Sequence, residues 1–373
     1  DEVFEFIIKH LKNFVDDPQK IVQLIIDNKS FEKLKHLVNI NEEFDSNKTI
    51  NLLPILLFYS VKYDLKSFFK DQNFEDKIDE IDPNFEDPNK KGATALCYAI
   101  YQRGIYFFDK LKYYHPLLLD NFNYAENENR ITPFGNVRCI ENAIEIITLL
   151  NDKKVPVELI LKEICGLNVE GQTALYTSIV ENNYILFEYL LKLNNEFNQK
   201  LENKNEFIDA IIYTKNKDGN NPFFAICMSK NWQLFINHLM DKMVQLNTQN
   251  NGYFGKFGPL TAAILSRNFK LVDILLSKGF TIDHYSFNQI LKMNLYNSLG
   301  VRLLKSKPDF QFDLFMPLHM IKNDKIVEDL FNKKQINFDF HLHENDDHKD
   351  DDYLLLSAIK NNDEKLVFLI LEN

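Results

Sequence analysis

Lys91-Gly92-Ala93-Thr94-Ala95-Leu96-Cys97-Tyr98-Ala99-Ile100 reappears downstream as Glu170-Gly171-Gln172-Thr173-Ala174-Leu175-Tyr176-Thr177-Ser178-Ile179. The shared pattern is Gly-x-Thr-Ala-Leu-x-x-small-Ile. Self-similarity of this kind marks a repeat array, in which each unit packs mainly on its neighbours. Function in such an array lives on an extended surface, and no single pocket is expected.

The motif opens a longer unit. After Thr173, an apolar helix runs to about Val180. A polar turn, Glu181-Asn182-Asn183, leads to a second helix carrying Ile185, Leu186, Phe187, Tyr189, Leu190 and Leu191. The expectation is a helical hairpin with helices of about ten residues each. One hairpin cannot bury its apolar face alone, so copies must stack.

Other stretches follow the same grammar. Thr132-Pro133-Phe134 leads to Ile146–Leu150, and Asp218-Gly219-Asn220-Asn221-Pro222-Phe223 leads to Leu239-Met240. Gly258-Pro259-Leu260-Thr261-Ala262-Ala263-Ile264 leads to Leu271–Leu276 and Gly279. Pro317-Leu318-His319 leads to Leu330, and Leu355–Ile359 leads to Leu371. Weaker copies are read at Ile21–Val38, Leu53–Phe69 and Phe287–Leu304. This pattern resembles the ankyrin repeat. The resemblance covers nearly the whole chain and implies an all-α, ankyrin-like helical-hairpin solenoid with short β-finger turns, long inserts and nine or ten repeats over residues 1–373.

Each residue type has a physical role in the pattern. Pro in the first helical turn loses nothing, since its missing N–H would be unpaired there. Thr ahead of it can accept a hydrogen bond from a free helix N–H. Ala99, Ser178, Ala263 and Ala358 are small enough for close helix approach. Gly92, Gly171 and Gly219 fit a turn that demands positive φ, and Asp218-Gly219 is a hairpin-turn dipeptide. The anchors Thr94, Thr132, Thr173 and Asn221 are spaced by roughly 38, 41 and 48 residues, against about 33 for the ankyrin repeat. Inserts therefore lie in fingers or back loops. Arg130 and Asn182 stand where turn glycines are expected, and Arg138 stands where a small residue is expected if Thr132 is aligned.

Composition narrows the partner. The chain has 373 residues with 32 Phe, ample for a large core. Its net charge of −11 disfavours nucleic acid, whose phosphates require Lys and Arg to release counterions, and suits a basic protein segment. Cys97, Cys139, Cys165 and Cys227 lack any Cys-x-x-Cys spacing and read as single buried thiols in a reducing, cytoplasmic setting. The apolar run Leu52–Val61 is about half the ~20 residues that span a bilayer, so no direct membrane insertion is expected of this region. The final helix, Lys365–Leu371, is too apolar for the polar cap that ends a solenoid. The native polypeptide is therefore expected to continue.

Several stretches invite a chemical reading and have a simpler one. His341, His343 and His348 stand among carboxylates, as zinc ligands can, yet no known metal spacing is reproduced and a solvated loop accounts for them. The acidic stretch Phe74–Pro88 could receive a basic peptide, or simply keep an insert soluble. No cysteine has a nucleophile's neighbours, and Gly252, Gly255 and Gly258 lack the strand and helix of a phosphate loop. His319 sits where the ankyrin resemblance implies a structural histidine. Trp232 is read as opening a second helix and packing in the core, as are the Phe pairs 68–69, 107–108 and 223–224. No catalytic residue, metal or cofactor is assigned.

The ankyrin resemblance implies binding through finger tips and the exposed face of the first helix. Those positions are Lys91, Ala93, Tyr101 and Gln102; Glu170, Gln172, Val180 and Glu181; Asp218, Asn220, Met228 and Ser229; Leu265 and Ser266. Tyr101, Val180, Met228 and Leu265 would form an apolar stripe along the concave wall. The reading is a non-catalytic protein-binding scaffold. The alternative is the cytosolic regulatory or assembly region of a larger ion channel or enzyme.

Overall fold

The computed structural model describes residues 53–66, 85–87, 89–102, 105–114, 129–200, 210–249 and 258–280, with a few isolated positions besides. The copies read at 21–38, 287–304, 317–330 and 355–371 lie outside the described residues apart from isolated positions. So do His319, the loop of His341, His343 and His348, Gly252, Gly255, Phe68–Phe69 and much of the 74–88 insert. The chain divides into two compact units, Asp1–Pro222 and Phe223–Asn373.

The described residues are mostly helical. In the first unit, α1 (Leu53–Lys62) is buried on nearly every side. Phe58 meets Tyr59 and Tyr98 edge-on, with ring centres 5.1 and 5.5 Å apart. A finger follows, in which β1 (Glu86–Asp87) pairs antiparallel with β2 (Lys90–Thr94) across a bulge. Next comes the hairpin α2 (Ala95–Tyr101) and α3 (Ile105–Tyr114). A short 3-10 turn (Phe134–Asn136) leads to α4 (Ile140–Asp152) and α5 (Val157–Ile164). The hairpin α6 (Ala174–Val180) and α7 (Tyr184–Lys200) follows, then the short α8 (Ala210–Tyr213). The second unit begins at the second residue of α9 (Pro222–Met228), which precedes a 3-10 turn (Trp232–Leu234) and α10 (Ile236–Gln249). The hairpin α11 (Pro259–Leu265) and α12 (Phe269–Ser277) comes last.

Positive-φ residues expose the periodicity most directly. Gly92 (φ 87°), Arg130 (54°), Gly171 (79°) and Gly219 (80°) each stand two residues before Thr94, Thr132, Thr173 or Asn221. Asp64 (56°), Asn182 (58°) and Arg267 (56°) each stand two residues past the end of a first helix. Lys154 (56°) and Gly279 (87°) stand two residues past α4 and α12. Every positive-φ residue among those described falls in one of these three turns. The expected left-handed turn therefore forms at Arg130 and Asn182 without glycine.

Paired backbone bonds offset the strain of non-glycine residues there. Asn183 N–H reaches Ser178 C=O (2.7 Å) while Asn182 N–H reaches Ile179 C=O (3.1 Å). The same pair recurs as Asn268 to Ala263 with Arg267 to Ile264, and as Leu65 to Ser60 with Asp64 to Val61. Val155 to Leu150 with Lys154 to Asn151, and Phe280 to Leu275 with Gly279 to Leu276, close the second helices likewise. This is the Schellman arrangement, which satisfies carbonyls that a helix end leaves unpaired. The small residues Ser178 and Ala263, together with Ser60, occupy one position of that arrangement and are buried.

Side-chain amides then tie each hairpin to the one before it. Gln102 Nε2 donates to the carbonyls of Val61 and Lys62, both at 2.7 Å. Asn183 Nδ2 donates to Arg138 C=O at 2.9 Å. In the second unit, Asn268 Nδ2 donates to the carbonyls of Cys227 and Ser229, both at 3.0 Å.

Three expectations are corrected. The first helices α2, α6, α9 and α11 hold seven residues each, because the turn closes as soon as the small residue is in place. The copy begun by Thr132 has no first α-helix. Thr132 Oγ1 accepts Gly135 N–H (3.0 Å) and Asn136 Nδ2 donates to Thr132 C=O (2.8 Å). The first is the bond of a helix cap, but the second takes the carbonyl that a helical Asn136 N–H would use, and Val137 turns to extended backbone. The long spacing after Thr132 contains a whole extra helix, α5. Trp232, finally, is buried but lies in the 3-10 turn ahead of α10.

The threonine caps divide. Thr173 caps α6 by accepting Tyr176 N–H at 3.1 Å. Thr94 makes no such bond to α2, and its hydroxyl lies 3.6 Å from Cys97 Sγ instead. Cys97, Cys165 and Cys227 are buried free thiols, while Cys139 is half-buried. Burial pushes the Cys97 thiol up to about 12 and the Cys165 thiol up to about 11. Among the described residues, no helix is long and apolar enough to cross a membrane.

Candidate partner-binding surface

The finger turns are built by asparagine. Asn168 Oδ1 accepts the N–H groups of Glu170 and Gln172, both at 2.9 Å. Asn216 Oδ1 accepts those of Asp218 (3.0 Å) and Asn220 (2.9 Å) in the same way. Gly171 N–H closes one turn on Asn168 C=O and Gly219 N–H closes the other on Asn216 C=O, both at 2.9 Å. A side-chain oxygen that holds two backbone N–H groups fixes the loop without a sheet. Neighbouring fingers are also joined. Lys90 Nζ donates to Val169 C=O (2.8 Å), and Lys217 N–H donates to Gly171 C=O (2.8 Å).

At the finger tips, Lys91, Glu170 and Asp218 are exposed, while Gln172 and Asn220 are half-buried. Ala93 is a correction. It is fully buried within β2, because the finger strand folds it inward, so its side chain offers nothing to a partner.

The helix-end positions share one register. Tyr101, Val180, Met228 and Leu265 are each the last residue of a first helix. Gln102, Glu181 and Ser266 are the C-caps that follow, and Ser229 follows Met228. Val180 is 57 % exposed and Met228 is 42 % exposed, whereas Tyr101 and Leu265 are half-buried. Ser229 and Ser266 are half-buried too, and Ser266 Oγ lies 3.1 Å from Met228 Sδ. Gln102 is committed to the inter-hairpin bonds given above. Tyr101 and Val180 belong to the first unit, Met228 and Leu265 to the second.

In the first unit, three of these positions meet around a residue the sequence left unassigned. The Arg138 guanidinium lies over the Tyr101 ring, 3.6 Å from its centre. It pairs with Glu181 at 3.0 Å and lies 4.0 Å from Glu170. Tyr101 Oη donates to Glu170 Oε1. Burial and this bond raise the Tyr101 phenol to about 12, so it stays a neutral donor. Stacking on a ring face suits guanidinium in particular. The cluster draws Tyr101, Glu170 and Glu181 from separate stretches of chain into one ordered patch beside exposed Val180. The misfit of Arg138 to the small-residue position was the only sequence signal for it.

Glu163 was not singled out at all. It is fully buried on α5, and its Oε1 accepts Phe134 N–H at 2.9 Å while Oε2 has no hydrogen-bond partner. Its own carbonyl accepts the Thr132 hydroxyl at 2.8 Å. Desolvation raises its carboxyl to about 8, against the opposing pull of the Phe134 and Thr132 bonds. It is a neutral acid at pH 7. Its role is to hold the 3-10 turn that replaces a first helix.

No protein-family model matches the chain, and no curated protein matches it.

Proposed function

We propose that the chain is a non-catalytic, ankyrin-like binding scaffold in which each unit offers its own first-helix ends and finger tips to a protein segment. The observation carrying this reading is the shared register of Tyr101, Val180, Met228 and Leu265, with Val180 and Met228 substantially exposed. An apolar side chain left in water at a recurring position is the raw material of an interface. The fingers add rigidity. Asn168 and Asn216 fix the backbone beside Glu170 and Asp218 before any partner arrives, so less ordering entropy is lost on binding. The net charge of −11 favours a basic segment by long-range attraction.

Single substitutions Val180→Glu and Met228→Glu test this. Both residues are exposed, so thermal stability should remain close to that of the parent. Capture of the partner from a lysate of the source cell should drop at least about tenfold, as expected when an anchor worth about 1.4 kcal/mol or more is removed. Full capture by both variants would refute the apolar row as the binding surface.

A further inference from the structure

Lys62 ends α1 at the register held elsewhere by Tyr101, Val180, Met228 and Leu265. Its side chain is enclosed by aromatic rings. Nζ lies 5.5 Å from the ring centre of Phe58, 5.6 Å from Tyr59, 5.8 Å from Tyr63 and 5.3 Å from Tyr98. The same ammonium contacts Asp87 Oδ2 at 2.7 Å.

The carboxylate is itself built in. Tyr98 Oη donates to Asp87 Oδ2 at 2.6 Å, and Asn89 N–H donates to Asp87 Oδ1 at 3.0 Å. The Asp87 side chain is 1 % exposed and that of Lys62 is 19 % exposed. Phe58, Tyr59 and Tyr98 are buried, whereas Tyr63 is exposed. Burial alone would raise the Asp87 carboxyl. The bonds from Lys62, Tyr98 and Asn89 outweigh it and hold the group below its ordinary value. The result is a box with an anionic floor, aromatic walls and one wall, Tyr63, in contact with water.

An ammonium ion is attracted to ring faces and to a desolvated carboxylate. A surface lysine tying a finger to a helix would need the carboxylate alone. We propose that the box is a binding site for alkylammonium groups, filled in the free protein by Lys62 and open to a lysine of a basic partner that displaces it. The displacement half deepens the scaffold reading by giving the partner a chemistry. The ammonium site itself stands apart from the apolar row. Tethering gives Lys62 an effective concentration in the millimolar range, so an incoming lysine must bring contacts from its flanking residues to compete.

The test begins by emptying the box. Melting of Lys62→Ala is followed in about 100 mM methylammonium chloride and in sodium chloride of equal strength. Methylammonium should raise the melting temperature by several degrees over sodium, as a ligand that binds only the folded state does. The parent protein should respond equally to both salts, and the double variant Lys62→Ala/Asp87→Asn should lose the difference. If Lys62→Ala fails to fold alone, refolding yield in the two salts replaces melting, and recovery in methylammonium only supports the site. No difference between the salts in either readout overturns it. Fluorescently labelled oligolysine then tests displacement. It should bind Lys62→Ala about tenfold more tightly than the parent, and Tyr63→Ala in the Lys62→Ala background should weaken it. Equal binding to Lys62→Ala and the parent overturns displacement. Val180→Glu should leave the methylammonium response of Lys62→Ala intact, so failure of the apolar row and failure of this site are read separately.

Discussion

Glu163→Gln isolates the energetic consequence of burying an acid under a broken helix. The free carboxyl titrates near 4.5 and the folded one near 8. A raised folded value means that the unfolded chain loses its proton first as pH rises. The contribution to stability is therefore fully present below about pH 4.5, declines through the window up to about pH 8 and is flat above it. Each unit of difference corresponds to about 1.4 kcal/mol, so the ceiling over the whole window is ~5 kcal/mol and the loss by pH 7 is about 3 kcal/mol. Local opening that lets water reach the ionised group reduces the measured amount.

Glutamine removes the titration and keeps the geometry. Its Oε1 can still accept Phe134 N–H, but its amide nitrogen falls where Oε2 has no partner. The protonated parent already has one unpaired O–H at Oε2, and the amide puts a second donor there; each unpaired buried donor costs about 1–3 kcal/mol. The variant should therefore be no more stable than the parent at pH 5 and more stable at pH 8. Urea midpoints measured at half-unit steps between those values should cross, and hydrogen exchange at the Phe134 amide should accelerate with pH beyond its intrinsic trend only in the parent. Among the described residues, the Cys97 thiol on α2 feels the Glu163 charge. It stays neutral over this range and adds no slope. Parallel pH profiles for parent and variant would refute the assignment of a buried neutral acid.

The turns and the core make further predictions. Lys154→Gly and Arg267→Gly place glycine at φ 56° and should each raise stability by up to about 1 kcal/mol in urea unfolding; a loss at both would show that the left-handed turn is not a source of strain. Ala263→Asp buries a charge at a fully buried position whose carbonyl receives Asn268 N–H. It should cost several kcal/mol, and an unchanged melting temperature would refute the packing of α11. Under a thiol-reactive probe, half-buried Cys139 should be labelled well before Cys97, Cys165 and Cys227; mass spectrometry of the native protein reads the order.

The repeating motif was legible because it is written in constrained residues. Only glycine takes φ near 80° without cost, so Gly92, Gly171 and Gly219 announced the turn before their helices. Asp64, Lys154 and Arg267 adopt the left-handed region at a cost of about 1 kcal/mol, which neighbouring bonds offset. Nothing in a lysine or an arginine signals that choice, and an aspartate only weakly, its short side chain being one that tolerates the left-handed region. The missing helix after Thr132 was hidden for a related reason. Thr-Pro-Phe reads as a helix start, and the bond from the Asn136 amide to Thr132 C=O competes with it. Gly135 supplies the other half of the explanation: a Cβ there would lie 2.4 Å from Leu167 O, so the finger of the next copy presses on the backbone where a helix would otherwise have side chains. Burial of Glu163 follows from that same loss of a helix, since its carboxyl fills in for the first-turn partner that Phe134 lacks.

Side-chain surroundings were less legible than register. Register alone placed Tyr101, Val180, Met228 and Leu265 at equivalent helix ends, because the period of the motif carries that information. It could not reveal what each position contacts, which depends on residues one repeat away. Arg138 belongs to the copy without a first helix, and this lets its backbone carbonyl receive Asn183 while its guanidinium covers Tyr101. Lys62 precedes a finger that keeps the Asn of later fingers as Asn89 and carries Asp87 two residues ahead of it, whose Oδ1 accepts Asn89 N–H while its Oδ2 takes the Lys62 ammonium. Two departures from the repeat thus convert equivalent positions into different chemistry: a guanidinium held over a tyrosine in one, an ammonium enclosed by rings in the other. Variation at a fixed register thus gives similar helix ends different surroundings, because each end meets side chains supplied by a neighbouring stretch that departs from the shared pattern.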